Sequence, residues 1–273
     1  MNPRRRSVAK SNQGKFLLSS DTLEGYGLDF IFSLAKKVGF DWLDLSMWKN
    51  FDAWNADYVQ WLVKEYELPV KIIQVSGKVN RLELNKAVDL ATKLGVDTIV
   101  INPPRYLDVK TFKFIKDNLP AYKKVASNIK FAIVNWDMES SLTLLPILPG
   151  YSFVNIADIV KKYKAYLALE LVHLKEEVLE MSLLKKLGNF LPYVVVTYLS
   201  DRDRSWKKYL PLGEGSLKLP TILKKFKQFE YDWYFSLRLK LGKKILADSE
   251  KVEIILKKCR NYFKEYYEDL KLG

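Results

Sequence analysis

The chain contains one histidine in 273 residues, and it closes the run Leu169-Glu170-Leu171-Val172-His173. A carboxylate three residues before an imidazole, at the end of a strand-like stretch (Tyr166–Leu171), can do two kinds of chemistry. It can contribute to a divalent-metal site, or it can move protons next to a carbonyl group. A single imidazole cannot build the multi-histidine centres of most hydrolytic metal enzymes. A second concentration of chemistry is Asp201-Arg202-Asp203-Arg204-Ser205-Trp206-Lys207-Lys208-Tyr209. Four cations with Trp206 and Tyr209 between them could grip a phosphate or track a nucleic-acid backbone. They could equally form a solvated loop neutralised by its own two aspartates. The lone cysteine, Cys259, falls in the last helix and reads as a buried residue rather than a thiol nucleophile.

These residues need elements to position them, and the chain alternates regularly from Lys15 onward. Strand-like runs occur at Phe16–Ser19, Trp42–Met47, Val70–Val75, Thr98–Asn102, Lys130–Asn135, Tyr166–Leu171, Tyr193–Leu199 and Trp233–Leu239. Between them lie amphipathic stretches at Leu28–Val38, Ala56–Tyr66, Leu82–Leu94, Thr111–Ala126, Ile156–Tyr163, Met181–Leu187 and Leu219–Phe229. A last one runs from about Ser249 to Leu270, with Asp248 or Ser249 as N-cap. Gly39, Pro69, Gly95 and Pro192 punctuate helix-to-strand junctions. This pattern predicts one α/β domain, a (β/α)8 TIM barrel over residues 15–273, preceded by a basic tail (residues 1–14) without fixed structure. A doubly wound open sheet is the alternative, but Ser19-Ser20-Asp21-Thr22-Leu23-Glu24-Gly25 is not the glycine-rich phosphate loop it would want.

Composition narrows the function classes. The formal charge is +13 with a sequence pI near 9.4, and hydrophobic residues make up 48% of the chain. Lysines are interspersed with glutamates, as in Lys175-Glu176-Glu177, which describes a charged surface of the kind also found in proteins from hot environments. No apolar run reaches the roughly 18 residues needed to cross a bilayer, and no signal core follows the basic start. One cysteine suits a reducing compartment, so a cytoplasmic location without membrane attachment is expected.

In a TIM barrel the chemistry collects at the C-terminal strand ends. Those ends read Ser19, Ser20 and Asp21; Asp44 and Ser46; Gln74 and Ser76; Asn102 and Arg105; Asn135 and Asp137; Glu170 and His173; Tyr198, Ser200 and Asp201; Ser236 and Arg238. Trp48, Trp54, Tyr106, Trp136, Tyr151 and Trp206 sit in or beside the same loops. Such a polar, aromatic-walled pocket suits a sugar ring or a nucleoside. The irregular segment from Asp137 to Phe153 could cover it.

Several short motifs carry a family resemblance. Gly39-Phe40-Asp41-Trp42-Leu43-Asp44-Leu45 resembles the second strand of the xylose-isomerase-like barrels, a superfamily that includes sugar-phosphate isomerases and epimerases and apurinic endonucleases. Lys86-Ala87-Val88-Asp89-Leu90-Ala91-Thr92-Lys93-Leu94-Gly95-Val96-Asp97 resembles its third helix and fourth-strand entry. Glu170-Leu171-Val172-His173 is similar to its Asp-X-X-His metal motif, with Glu for Asp. Tyr198-Leu199-Ser200-Asp201 and Leu210-Pro211-Leu212-Gly213-Glu214-Gly215 are similar to its His-X-X-Asp and Pro-Leu-Gly-X-Gly segments.

The resemblance implies a divalent ion held by Glu, Asp, His and Glu at the ends of strands five to eight. Here those positions read Asn135, Glu170, Tyr198 and Arg238. A guanidinium among metal ligands would repel the ion, so no metal is expected; the alternative is a divalent ion at Glu170 and His173. The expectation is therefore a sugar or sugar-phosphate isomerase or epimerase working by proton transfer, with Arg238 replacing the lost metal charge. Glu170, His173, Arg238 and Asp137 are its candidate catalytic residues. Asn135, Trp136, Tyr198, Asp201, Asn102, Arg202 and Arg204 are candidates for binding a small polar ligand. The alternative is a non-catalytic barrel that binds a ligand, a nucleic acid or a protein partner. Nucleic acid is the less favoured partner, and phosphodiester hydrolysis by a multi-histidine cluster is excluded.

Overall fold

A computed structural model describes residues 15–102, 109–135, 165–174 and 191–272. Eight parallel strands close into a barrel in sequence order: β1 (Lys15–Ser19), β2 (Trp42–Ser46), β3 (Val70–Val75), β4 (Thr98–Ile101), β5 (Lys130–Val134), β6 (Tyr166–Glu170), β7 (Val194–Leu199) and β8 (Tyr234–Leu237). Strand β1 pairs with β2 on one side and with β8 on the other, which closes the sheet. The (β/α)8 class expected from the alternation is the observed one.

Described helices are α1 (Leu28–Val38), α2 (Ala56–Glu65), α3 (Arg81–Leu94), α4 (Val109–Val125), α5 (Leu219–Gln228), α6 (Lys243–Leu246) and α7 (Ser249–Phe263). Their starts follow the expected capping chemistry. Asn55, Asn80 and Asp248 each accept a hydrogen bond from a backbone N–H three residues on. Gly39 and Gly95 end α1 and α3 in the left-handed conformation, at φ 88° and 66°. The last helix does not continue regularly to Leu270. It passes into a π-type turn over Lys264–Glu268, which lets Tyr267 pack on Phe235 and donate its hydroxyl hydrogen to the carbonyl of Tyr231. The expected helices at Ile156–Tyr163 and Met181–Leu187, and the expected cover from Asp137 to Phe153, lie outside the described residues.

Strand alternation divides the core in two. Residues such as Phe16, Leu43, Ile73, Ile99, Phe131, Leu169 and Phe235 are buried in the large cluster shared with helix residues. The other face points into the barrel, where Leu17, Ile72, Val100, Ala132, Ala168 and Val196 form a separate aliphatic plug. Registers stack this interior into layers: Trp42, Tyr166 and Tyr234 near the N-terminal end, aliphatics in the middle, and Ser19, Asp44, Gln74, Glu170, Tyr198 and Ser236 near the C-terminal end. The polar top layer rests on a dry, packed floor, so its charges are held in a low-dielectric setting.

Candidate functional site

Arg238 sits at the centre of the top layer. Its backbone N–H extends the β8 ladder by donating to the carbonyl of Leu199 at 3.1 Å, so the side chain leaves the sheet at a fixed angle. Its guanidinium donates from Nη1 to Glu170 Oε2 at 3.0 Å and pairs through Nε with Asp21 Oδ2 at 3.2 Å. Nη2 donates to Gln74 Oε1, and the flat face lies 3.9 Å from the Tyr198 ring centroid. Gln74 in turn donates to Ser19 Oγ at 2.8 Å, and Ser19 donates to Asp21 Oδ1 at 2.7 Å. Glu170 and Arg238 therefore form an ion pair inside a network that spans five strands.

A second buried carboxylate, Asp44 on β2, accepts from Ser236 Oγ at 2.8 Å and touches no cation directly. Asp44 and Glu170 are both fully buried, and Asp44 Oδ1, Glu170 Oε1 and the Tyr198 hydroxyl have no hydrogen-bond partner among the described residues. Burial pushes the Glu170 carboxyl up to about 7 against the downward pull of Arg238. It pushes Asp44 up to about 7 as well, again opposed by Arg238. Burial is the main cause, and the excess of carboxylates over cations adds to it. Asp21, Asp44 and Glu170 together face one guanidinium, and burying two uncompensated negative charges is far costlier than retaining a proton. Both carboxyls are therefore shifted toward neutrality.

Asn135, at the end of β5, is a clamp on its neighbour. Its Oδ1 accepts from the Glu170 N–H at 2.6 Å and its Nδ2 donates to the Glu170 carbonyl at 3.1 Å. His173, in the turn Leu171–His173 after β6, lies 3.1 Å through Nδ1 from the Asn135 carbonyl and 2.8 Å through Nε2 from the Tyr209 hydroxyl. Both ring nitrogens are thus engaged.

The divalent ion that the family resemblance implies does not fit these residues. A guanidinium lies 3.0 and 3.2 Å from the two carboxylates nearest the centre. Both His173 nitrogens have partners, and among the described residues no group of three His, Cys, Asp or Glu side chains could hold a metal. The cation at the centre of these residues is Arg238.

The cationic segment after β7 has a different architecture from an open phosphate clamp. Asp201 and Leu210 bond each other's backbones at 2.8 Å in both directions, closing the intervening loop as a hairpin. Asp201 Oδ1 accepts from the N–H groups of Arg202 and Leu217, and Oδ2 accepts from Gly213. A Cβ on Gly215 would lie 2.3 Å from Asp201 Oδ1, so only glycine lets this loop wrap the carboxylate. Arg202 is 1% exposed, donates to the carbonyls of Val172 and Leu174, and stacks 3.7 Å over Trp206. It braces the turn that carries His173. Arg204 is exposed on the loop tip.

The structure brings Glu170, Arg238 and Tyr198 into one knot and Asn135 and His173 beside it. Asp201 and Arg202 form a supporting wall. Asn102 lies at the end of β4, donating to the Val75 carbonyl at 2.9 Å. Asp137 and Trp136 lie outside the described residues. In sequence, Asp21, Asp44, Gln74 and Ser236 are strand-end polar groups that nothing singles out as site residues. The alternation in Leu43-Asp44-Leu45-Ser46 is the available signal that Asp44 points inward. Tyr209 is legible in sequence only as an aromatic of the cationic loop; its contact with His173, 36 residues away, is not.

The barrel is similar in fold to several solved structures. The IolI protein with a bound zinc atom aligns over 93% of this chain and 99% of its own, with a TM-score of 0.70 at 15% identity. The 3-keto-D-glucoside 4-epimerase of E. coli aligns over 90% and 99%, with a TM-score of 0.66 at 14% identity. A D-allulose 3-epimerase from Methylomonas sp. aligns over 96% and 100%, with a TM-score of 0.67 at 13% identity. In sequence, uncharacterized proteins of Mycobacterium tuberculosis and Mycobacterium bovis are 26% identical over 113 residues. That stretch is 38% of this chain and 40% of theirs, so the chain spans about two fifths of the length of the relatives it matches. No family model matches the chain.

Proposed function

We propose that this barrel binds a sugar or sugar phosphate at its C-terminal mouth and isomerises or epimerises it by proton transfer, without a metal. Glu170 is the group that takes a carbon-bound proton beside the ligand carbonyl, using Oε1, the oxygen that Arg238 does not bind. Arg238 holds the oxygen on which negative charge develops, the task a divalent ion performs in metal-dependent members of this fold. The observation that carries this reading is a carboxylate held near neutral pKa against a fixed guanidinium at the end of β6. A base with a pKa near the working pH is the most effective kind. A 3-keto-D-glucoside 4-epimerase and a D-allulose 3-epimerase share the fold, which supports a sugar as the ligand class.

The test is exchange of carbon-bound hydrogen in D2O, followed by proton NMR, for a panel of aldoses, ketoses and their phosphates with EDTA present. Exchange that survives EDTA and disappears in Glu170→Gln is the expected result. Exchange that appears only with Mn2+ or Zn2+ would overturn the metal-free reading.

A second reading, a barrel that binds its ligand without turnover, is favoured by one observation: Glu170, Asp44 and Tyr198 are all fully buried beneath Arg238. Saturable binding of a panel compound with no exchange would establish it in place of the first.

A further inference from the structure

Within the proton-transfer reading just given, we infer that Tyr209 is a catalytic residue, and that the lone imidazole acts through its hydroxyl rather than directly on the ligand. The hydrogen bonds of His173 define its tautomer. A backbone carbonyl only accepts, so the Nδ1 that faces the Asn135 oxygen at 3.1 Å carries a hydrogen. In the neutral ring Nε2 is then the acceptor, and the Tyr209 hydroxyl donates to it at 2.8 Å. Neither nitrogen is left to meet a ligand.

Accessibility points the same way. His173 is 9% exposed, whereas Tyr209 is half-buried and stands edge-on to the imidazole with ring centroids 6.0 Å apart. Of the two hydrogen-bonded side chains, Tyr209 is therefore the less buried, and it is the one through which the imidazole would reach a ligand.

The chain also holds Tyr209 in an unfavourable backbone state. Its φ is 64°, as is that of Trp206, in the left-handed region that aromatic residues rarely occupy. Three contacts enforce it: the Asp201–Leu210 backbone bridge, the Lys240 N–H donating to the Tyr209 carbonyl at 3.0 Å, and Arg202 stacked on Trp206. Strain of this kind persists where surrounding structure demands it, and it gathers at functional positions. Asn135 completes the arrangement. One residue fixes the Glu170 backbone with its side chain and the imidazole tautomer with its carbonyl. The two proton-moving groups are thereby set relative to each other.

The step balances without any added reagent. As Glu170 takes the carbon-bound proton, a ligand hydroxyl gives its proton to Tyr209 Oη while the phenol's own proton passes to His173 Nε2. One ligand O–H bond breaks, the phenol O–H is exchanged, and an N–H bond forms. The products are a protonated Glu170, an enediolate carrying both negative charges with one oxygen facing Arg238, and an imidazolium whose Nδ1–H still donates to Asn135. Reversal at the neighbouring oxygen returns the proton.

A chain with one histidine allows a direct test, because a tag-free, 15N-labelled sample gives a single imidazole spectrum. The expected wild-type spectrum is that of the neutral Nδ1–H tautomer, and Tyr209→Phe shifts the Nε2 resonance with little change in melting temperature. An Nε2–H tautomer, or an Nε2 resonance indifferent to Tyr209→Phe, overturns the inference. The wild-type tautomer decides the matter even if the variant folds poorly. In the D2O exchange assay, Tyr209→Phe is expected to lower kcat by on the order of 100-fold with KM little changed. Full exchange in Tyr209→Phe overturns the role of Tyr209 and leaves Glu170 chemistry intact. Absence of exchange in the wild type with every compound removes both.

Discussion

Two arginines of this barrel are buried and stacked on aromatic rings, yet they are built for opposite purposes. Arg202 lies 3.7 Å over Trp206 and gives its hydrogens to the carbonyls of Val172 and Leu174. Arg238 lies 3.9 Å over Tyr198 and meets Glu170, Asp21 and Gln74. Backbone carbonyls have no proton to lose, so the Arg202 contacts are indifferent to pH. Carboxylates do, and burial places Glu170 and Asp44 near 7. A guanidinium on carbonyls fixes a turn, whereas a guanidinium among carboxylates sets a charge balance that a ligand or a proton can alter.

Breaking the second arrangement should have the largest effect. Arg238→Met leaves Asp21, Asp44 and Glu170 without their common cation, and a loss of about 3–5 kcal/mol at pH 8 is expected from urea unfolding. The loss should shrink at pH 5, where the orphaned carboxyls are protonated. Adding Glu170→Gln should recover part of it, as a double-mutant cycle would measure. An equal loss at both pH values would show that packing, and not charge, dominates the knot.

Arg202→Ala should cost roughly 2–3 kcal/mol, the scale for leaving buried carbonyls unpaired. The cost should be the same at pH 5 and 8. A strong pH dependence would erase the distinction between the two arginines.

Asp44→Asn sharpens the comparison with a change of opposite sign. The folded pKa of Asp44 is raised from 3.8 to about 7, so between these values the folded state binds more protons than the unfolded chain. Stability therefore falls as pH rises from about 4 to about 7, and Glu170 acts in the same direction. The amide, which cannot ionise, should flatten that slope and stabilise the protein by roughly 1–3 kcal/mol at pH 8, with little effect at pH 4. Thermal unfolding across this range would check it. Least of all, Arg204→Ala should change stability by no more than about 0.5 kcal/mol, because that side chain is exposed on the hairpin tip.

Much of the frame is legible from local pattern. Strand β3 and helix α1 match their expected limits, and Gly39, Gly95 and Asp248 terminate or cap helices as their types suggest. The pairing of Glu170 with Arg238 is also within reach, since both stand at strand ends of one barrel. Other contacts are not. Asn135 reads in sequence as a group for the ligand, but its amide hydrogens and oxygen are engaged with the Glu170 backbone. Arg202 reads in sequence like its neighbour Arg204, and only burial separates them.

The sequence by itself determined the alternation of strands and helices, the inward polar positions at the strand ends, and the shortage of imidazoles that disfavours a metal centre. Those follow from residue type and spacing within single elements. Tertiary structure alone decided that Asp21 and Glu170 share one guanidinium, that the buried Asp44 is bonded by Ser236 instead, and that Tyr209 meets His173. Each depends on distances across the closed barrel between residues 36 to 217 positions apart, such as Tyr209 with His173 and Arg238 with Asp21. Closure also removes the water that would otherwise screen those charges, and that is why strand-end residues of ordinary type acquire an unusual proton affinity.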